Sequence, residues 1–72
     1  MAVRVEIKPS PQARRLFNAM VVKADDGHLT LPSTLMLAVE RTRAGSSDGE
    51  AVDELRSEGW IRQAKDGGWL VH

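Results

Sequence analysis

The chain of 72 residues contains no cysteine and no apolar run close to the length of a membrane span. Without cysteine it forms no disulfide, carries no thiolate nucleophile and has no cysteine-based zinc site. A membrane-spanning helix needs about 20 predominantly apolar residues, and residues 1–5 do not form the apolar block of a signal peptide. We therefore expect a soluble, cytoplasmic protein without membrane contact.

The chain also lacks an excess of either charge, because ten Lys and Arg residues balance ten Asp and Glu residues. Isolated DNA-binding domains usually carry a basic excess, since much of their affinity comes from neutralising phosphates. The charge balance therefore argues against a nucleic-acid partner. The length predicts a single domain, residues 1–72, whose core supplies only about 3–5 kcal/mol of net stability.

Residues suited to catalysis do not form a recognisable pattern. The two histidines, His28 and His72, lie far apart in the sequence, and no nucleophile stands beside a base. Asp25 and Asp26 precede a glycine, a combination that turn chemistry explains without a metal. No phosphate-binding loop is present. We expect no enzyme activity, no cofactor and no metal site.

The first half of the chain predicts two strands and two helices. Residues 3–7 alternate apolar and charged side chains, as a half-buried strand does. Ser10 and Pro11 then begin a helix that extends to about residue 24. A short strand over residues 29–31 precedes a second helix, capped by Ser33 and ended by Gly45. Four residues of this helix are predicted to face the interior: Leu35, Met36, Val39 and Thr42.

The second half predicts a helix followed by a β-hairpin. Ser47 and Glu50 have the spacing of a capping box, which would begin the third helix near residue 48. Its inward residues are Ala51, Val52 and Leu55, and a glycine at position 59 would end it near residue 58. Residues 60–63 and 69–71 read as strands around the glycine-containing turn at residues 65–68.

The sequence LRSEGWI at residues 55–61, followed by this hairpin, resembles the second half of a winged helix-turn-helix domain. The sequence LTLPS at residues 29–33 is similar to the first strand and second helix of such domains in phage and actinobacterial regulators. The resemblance covers residues 10–71. It implies an α+β fold with three helices and a C-terminal β-hairpin wing, to which this chain adds an N-terminal strand.

The resemblance also implies a non-enzymatic regulator that binds duplex DNA, and its expected partners are DNA and a second copy of the chain in a homodimer. In this family the second helix of the motif enters the major groove, while the preceding helix and the wing contact phosphates. Mapped onto this sequence, the expected DNA-binding residues are Arg41, Arg43, Ser46, Ser47, Arg56, Arg62 and Lys65.

The third helix departs from the family pattern, because its outward positions are acidic or small. With Ala51, Val52 and Leu55 inward, helical geometry turns Glu50 and Asp53 outward. Neither can make the common Arg or Lys contact to guanine. The alternative prediction is therefore a protein-interaction module, an adaptor or inhibitor, that binds a partner's basic surface. Its candidate residues are Glu50, Asp53 and Glu54.

Overall fold

The computed structural model describes residues 9–72, and the strand predicted over residues 3–7 lies outside this range. The described part is α+β, with three helices and a C-terminal β-hairpin as predicted. In chain order the elements are α1 (Pro11–Lys23), β1 (His28–Leu29), α2 (Leu31–Arg43), α3 (Gly49–Ser57), β2 (Ile61–Gln63) and β3 (Trp69–Val71).

Helix α1 begins as predicted, because Ser10 caps it and Pro11 occupies the first turn. The Ser10 hydroxyl accepts a hydrogen bond from the Ala13 N–H at 3.3 Å. Leu16 and Met20 follow Ala13 at helical spacing, and all three are buried. This face makes α1 the central helix, in contact with the other two helices and the sheet.

The turn between α1 and β1 uses the Asp-Gly pair. Asp25 and His28 exchange two backbone hydrogen bonds of 2.9 and 3.0 Å. The two residues between them have positive φ, 52° at Asp26 and 79° at Gly27. This is the mirror-image turn geometry that Asp-Gly favours, and it directs the chain into β1.

The antiparallel sheet has the order β1-β3-β2, so that β3, the last strand in sequence, lies in the centre. Leu70 is opposite His28 on one side and Arg62 on the other. In the next row, Trp69 is opposite Leu29 on one side and Gln63 on the other. Since side chains alternate across a sheet, these rows point to opposite faces. The sheet packs against α1.

The buried core draws on all three helices and two of the strands. Its fully buried members include Leu29 and Leu55. Phe17 of α1 meets Trp60 edge to face, with ring centroids 4.9 Å apart and an interplanar angle of 79°, a favoured aromatic geometry. Among residues 9–72 the buried hydrophobic residues are Ala13, Leu16, Met20, Leu29, Leu37, Ala51, Leu55 and Ile61.

Helix α2 begins earlier than predicted, because Thr30 and not Ser33 is its N-cap. The Thr30 hydroxyl accepts the Ser33 N–H at 3.3 Å and donates to the Ser33 hydroxyl at 3.0 Å. Leu31, assigned to a strand from the sequence, is thus the first helical residue, and β1 contains only two residues. The predicted cap was wrong because a threonine three positions upstream fits the same capping geometry.

The inward face predicted for α2 was also wrong. Leu37 is its one buried residue, whereas Leu35, Met36 and Val39 are 59%, 60% and 52% exposed. Thr42 is exposed as well, and its hydroxyl donates to the Ala38 carbonyl. The helix carries apolar residues on two sides, so its periodicity does not determine which side packs.

Helix α3 ends in the predicted way. Gly59 adopts a φ of 79°, and the next N–H, that of Trp60, donates to the Leu55 carbonyl at 2.9 Å. This is the left-handed glycine terminus that satisfies the last carbonyls of a helix. It also turns the chain directly into β2, where Ile61 is buried.

Candidate functional site

The turn between α2 and α3 is closed by an ion pair between Arg41 and Asp48. The Arg41 Nε lies 2.5 Å from Asp48 Oδ2, and a second guanidinium nitrogen lies 2.9 Å from Oδ1. Both side chains are only 18% exposed. The hydrogen bonds to Asp48 raise the pKa of Arg41. A two-point contact of this kind fixes direction as well as distance, so it holds α3 against the end of α2.

Glycine geometry supplies the second constraint on this turn. Gly45 has a φ of 82° and follows the last turn of α2. The Ser46 N–H donates to the Arg41 carbonyl at 2.9 Å, and the Gly45 N–H donates to Thr42. These bonds satisfy helix-terminal carbonyls, as in a Schellman motif. Ser46 is half-buried here, whereas Ser47 is exposed.

The predicted capping box of Ser47 and Glu50 does not form. Asp48 is the N-cap of α3, and its side chain makes no hydrogen bond to the helix. Its carboxylate is bound to Arg41 instead, so a long-range ion pair displaces local capping. The Ser47 carbonyl accepts from the Gln12 side chain at 3.2 Å, which places this loop beside α1.

Glu54 connects α3 to the start of α1. One carboxylate oxygen accepts the Ser10 N–H at 2.7 Å, and the other accepts the Ser10 hydroxyl at 2.9 Å. Two charge-assisted hydrogen bonds of this length are stronger than neutral ones. Glu54 is therefore a structural partner of Ser10, and it stands apart from the other two acidic candidates.

Glu50 and Asp53 lie on the outer face of α3, together with Arg56. All three are exposed. Asp53 pairs with Arg56 at 3.2 Å, with 71% of the Asp53 side chain and 57% of the Arg56 side chain exposed. A pair so open to solvent contributes little to stability and dissociates easily. The outer face of α3 thus bears two carboxylates and one guanidinium.

Arg62 and Lys65 come together on the outer face of the hairpin. His28, Leu70 and Arg62 form one cross-strand row, and Lys65 and Asp66 of the following turn border it. We call this shallow groove the wing groove. Within residues 9–72 the structure records no ion pair for Arg62 or Lys65. Both cations are exposed to solvent.

Asp66 fastens the turn of the hairpin to the start of α2. Its carboxylate accepts the Gly68 N–H at 2.9 Å and the Leu31 N–H at 3.2 Å, and it lies 3.3 Å from His28 Nε2. These contacts, the Gly68 N–H foremost, lower the pKa of Asp66 below its ordinary value. Leu31 is in the first turn of α2, where a negative charge also complements the helix dipole.

Gly68 permits this junction because backbone occupies the space beside it. An added Cβ would lie 2.0 Å from the Leu29 carbonyl oxygen and 2.8 Å from the Thr30 carbonyl carbon. Neither atom belongs to a flexible side chain. The neighbouring Gly67 packs on the Leu31 side chain, with contacts of 3.5–3.9 Å from its Cβ position. The hairpin turn therefore rests directly on the β1–α2 junction.

Arg43, the last residue of α2, does not line the wing groove. It borders a shallow groove on the outer side of α2, formed with Leu35, Met36 and Val39. Glu40 also lines this groove, and it pairs with Lys23 at 3.1 Å. The structure records no ion pair for Arg43 among the described residues.

The predicted basic residues are therefore distributed over four places. Arg62 and Lys65 share the wing groove, Arg56 lies on α3, and Arg43 lies at the end of α2. Arg41 is held in the α2–α3 turn. Asp48 and Asp66, which hold Arg41 and the hairpin turn in place, were not among the predicted site residues. Seven positions separate Arg41 from Asp48, and no local spacing rule signals that contact.

Comparison of the chain with protein-family models, with curated proteins and with solved structures gives no match. Among the helices within residues 9–72, none has the length and apolar character needed to cross a bilayer. The same part of the chain contains no cluster of three metal-ligating side chains.

Proposed function

We propose that this chain is a non-enzymatic, cytoplasmic DNA-binding protein of regulatory type that contacts duplex DNA chiefly through its wing. The observation that carries the proposal is the wing groove, in which Arg62 and Lys65 stand exposed on the hairpin of a winged helix-turn-helix arrangement. Cations on a projecting hairpin are well placed to contact DNA phosphates, beside the helix that enters the major groove of the DNA.

The other candidate residues fall into two groups, those available to contact DNA and one that holds α3 in place. Arg43 and Arg56 are exposed and available for phosphates, and Ser46 and Ser47 begin the loop before α3. Arg41 serves by holding α3 in place through Asp48. Base reading by α3 would be unusual, because a Glu or Asp accepts only from cytosine N4 at the groove edge. We therefore assign most of the affinity to phosphates.

The test measures binding to an end-labelled duplex of mixed sequence by fluorescence anisotropy, at about 50 and about 200 mM salt. The Arg62→Glu, Lys65→Glu double variant should weaken binding at least tenfold at the lower salt. It should also reduce the slope of log K against log salt by about 2, because two phosphate contacts disappear.

The matched control is the Arg14→Glu, Arg15→Glu double variant, which makes the same change in net charge on the exposed face of α1. It should retain most of the affinity. Equal losses of DNA affinity in the two double variants would show that the effect comes from net charge alone. The wing groove would then no longer support the proposal. No binding by the wild-type protein at the lower salt would refute DNA binding.

A second function, binding to a basic surface of another protein, is favoured by the exposed carboxylates of Glu50 and Asp53 on α3. Glu54 does not extend this surface, since its carboxylate binds Ser10. In this case the Glu50→Lys, Asp53→Lys double variant should lose a partner that the Arg62→Glu, Lys65→Glu variant retains. Retention of that partner by both variants would exclude the acidic face.

A further inference from the structure

The outer side of α2 exposes a continuous row of apolar side chains that no described element covers. Leu35, Met36 and Val39 are each more than half exposed, and Leu31 is 39% exposed. In a helix these positions span about 140°, on the side opposite the buried Leu37. We call them the α2 stripe. Exposed apolar groups that adjoin one another, unlike scattered ones, indicate an interaction surface.

The two ends of the α2 stripe carry opposite charges. At its C-terminal end, Arg43 follows Val39 by one helical turn and borders the same groove. At its N-terminal end, Gly67 packs on Leu31, and the adjacent Asp66 accepts the Leu31 N–H at 3.2 Å. The stripe therefore runs from a carboxylate to a guanidinium. Glu40, which flanks it, is already paired with Lys23.

This arrangement is complementary to itself in the antiparallel direction. Leu35 and Val39 are equidistant from position 37, and so are Leu31 and Arg43. A twofold axis at that level would pack Leu35 against Val39 of a second copy. It would also bring Arg43, about 18 Å along the helix from Leu31, to the Asp66 end of the other helix. A contact that uses one patch twice is the usual form of a homodimer interface.

We propose that the α2 stripe is the interface of a homodimer in which two α2 helices pack antiparallel, with Arg43 of each copy facing Asp66 of the other. This inference does not rest on DNA binding, and in the dimer Arg43 contacts Asp66 of the second copy and not a phosphate. The four apolar side chains would bury on the order of 300 Å² per copy, well below the roughly 800 Å² per partner of a standard stable interface. The dimer is consequently weak, and we expect it to dissociate at micromolar concentrations.

The first experiment is sedimentation equilibrium of the full chain from about 1 to about 300 μM, a range that includes the concentrations at which the dimer should dissociate. The wild-type protein should change from monomer to dimer across this range. Val39→Glu should remain monomeric throughout. Val22→Glu provides the matched control, since Val22 is 82% exposed on α1 and lies outside the stripe. It should dimerise as the wild type does.

Arg43→Glu tests the charged ends without altering the apolar contacts. It should weaken dimerisation at least tenfold, because each copy would place a carboxylate opposite Asp66. Circular dichroism should show unchanged helix content, since Arg43 is exposed. Unchanged dimerisation in this variant would overturn the antiparallel arrangement.

A mixing experiment tests the register itself. Val39→Glu and Leu35→Lys should each be monomeric alone, whereas an equimolar mixture should form a heterodimer. In the proposed register the new glutamate of one copy faces the new lysine of the other, and the remaining Leu35 and Val39 stay in contact. A mixture that stays monomeric would overturn the register. A wild-type protein that is monomeric at every concentration would overturn the proposal altogether.

Discussion

At the scale of single residues, Gly68 shows how a long-range contact can determine a residue type. The hairpin turn closes against the β1–α2 junction, and a Cβ at this position would overlap the Leu29 carbonyl oxygen at 2.0 Å. A turn pattern in the sequence indicates glycine for its conformational freedom. It cannot indicate that a distant peptide occupies the space of the missing side chain.

We predict that Gly68→Ala lowers the free energy of unfolding by about 3 kcal/mol or more, since the clash involves backbone that can move only by separating the hairpin from β1. Urea unfolding followed by tryptophan fluorescence would measure the change. Gly49→Ala provides the control, because nothing lies within 4 Å of its Cβ position. A loss below about 0.5 kcal/mol in Gly68→Ala would show that the turn adjusts freely.

At the scale of elements, the third helix is positioned more by one ion pair than by its own sequence signals. The presence of α3 and its end at Gly59 follow from local chemistry and were predicted correctly. The capping box was predicted wrongly, because the Asp48 carboxylate binds Arg41. The inward face of α2 was predicted wrongly for a related reason: Leu37 and Val39 are equally apolar, and tertiary contacts choose between them.

We predict that Arg41→Ala lowers the free energy of unfolding by about 1–3 kcal/mol, because it removes two hydrogen bonds and leaves the Asp48 carboxylate unpaired in a mostly buried position. Arg43→Ala, the control two positions away, should change stability by less than about 0.5 kcal/mol. A double-mutant cycle with Asp48→Ala would isolate the pair. Equal effects of Arg41→Ala and Arg43→Ala would show that the pair does not secure α3.

At the scale of the whole molecule, the junction formed by Asp66 makes stability depend on pH. The folded state lowers the pKa of Asp66 below its ordinary value of 3.8. The folded state thus favours the ionised carboxylate, and its contribution is complete above the unfolded pKa. This contribution is lost as the pH falls below about 4 and through the folded pKa.

Thermal unfolding of the wild type and of Asp66→Asn, measured between about pH 2 and pH 7, would test this dependence. The difference in melting temperature between the two proteins should be largest near neutral pH. It should shrink as the pH falls, because the wild-type carboxyl becomes protonated and loses its charged hydrogen bonds to Gly68 and Leu31. A constant difference over the whole range would contradict the proposed cause.

The candidate surfaces could be predicted only in part from the sequence. Strand alternation and the hairpin turn suffice to put Arg62 and Lys65 on the wing. By contrast, the pairing of β1 with β3 joins His28 to Leu70, two residues far apart in the chain, and this pairing completes the wing groove. The α2 stripe was not predicted, because Leu35, Met36 and Val39 were expected to lie inside and Leu31 was assigned to a strand.

The central position of β3 has a consequence for the order in which the molecule forms. Within residues 9–72, Trp69–Val71 supply the partner for both edge strands, so the pairing of β1 and the pairing of β2 depend on this one segment. The helices form from contacts between residues close in sequence, whereas β1 must find a partner about 40 residues further along the chain. Formation of the sheet is therefore a non-local step in folding, and we expect it to be slower than formation of the helices.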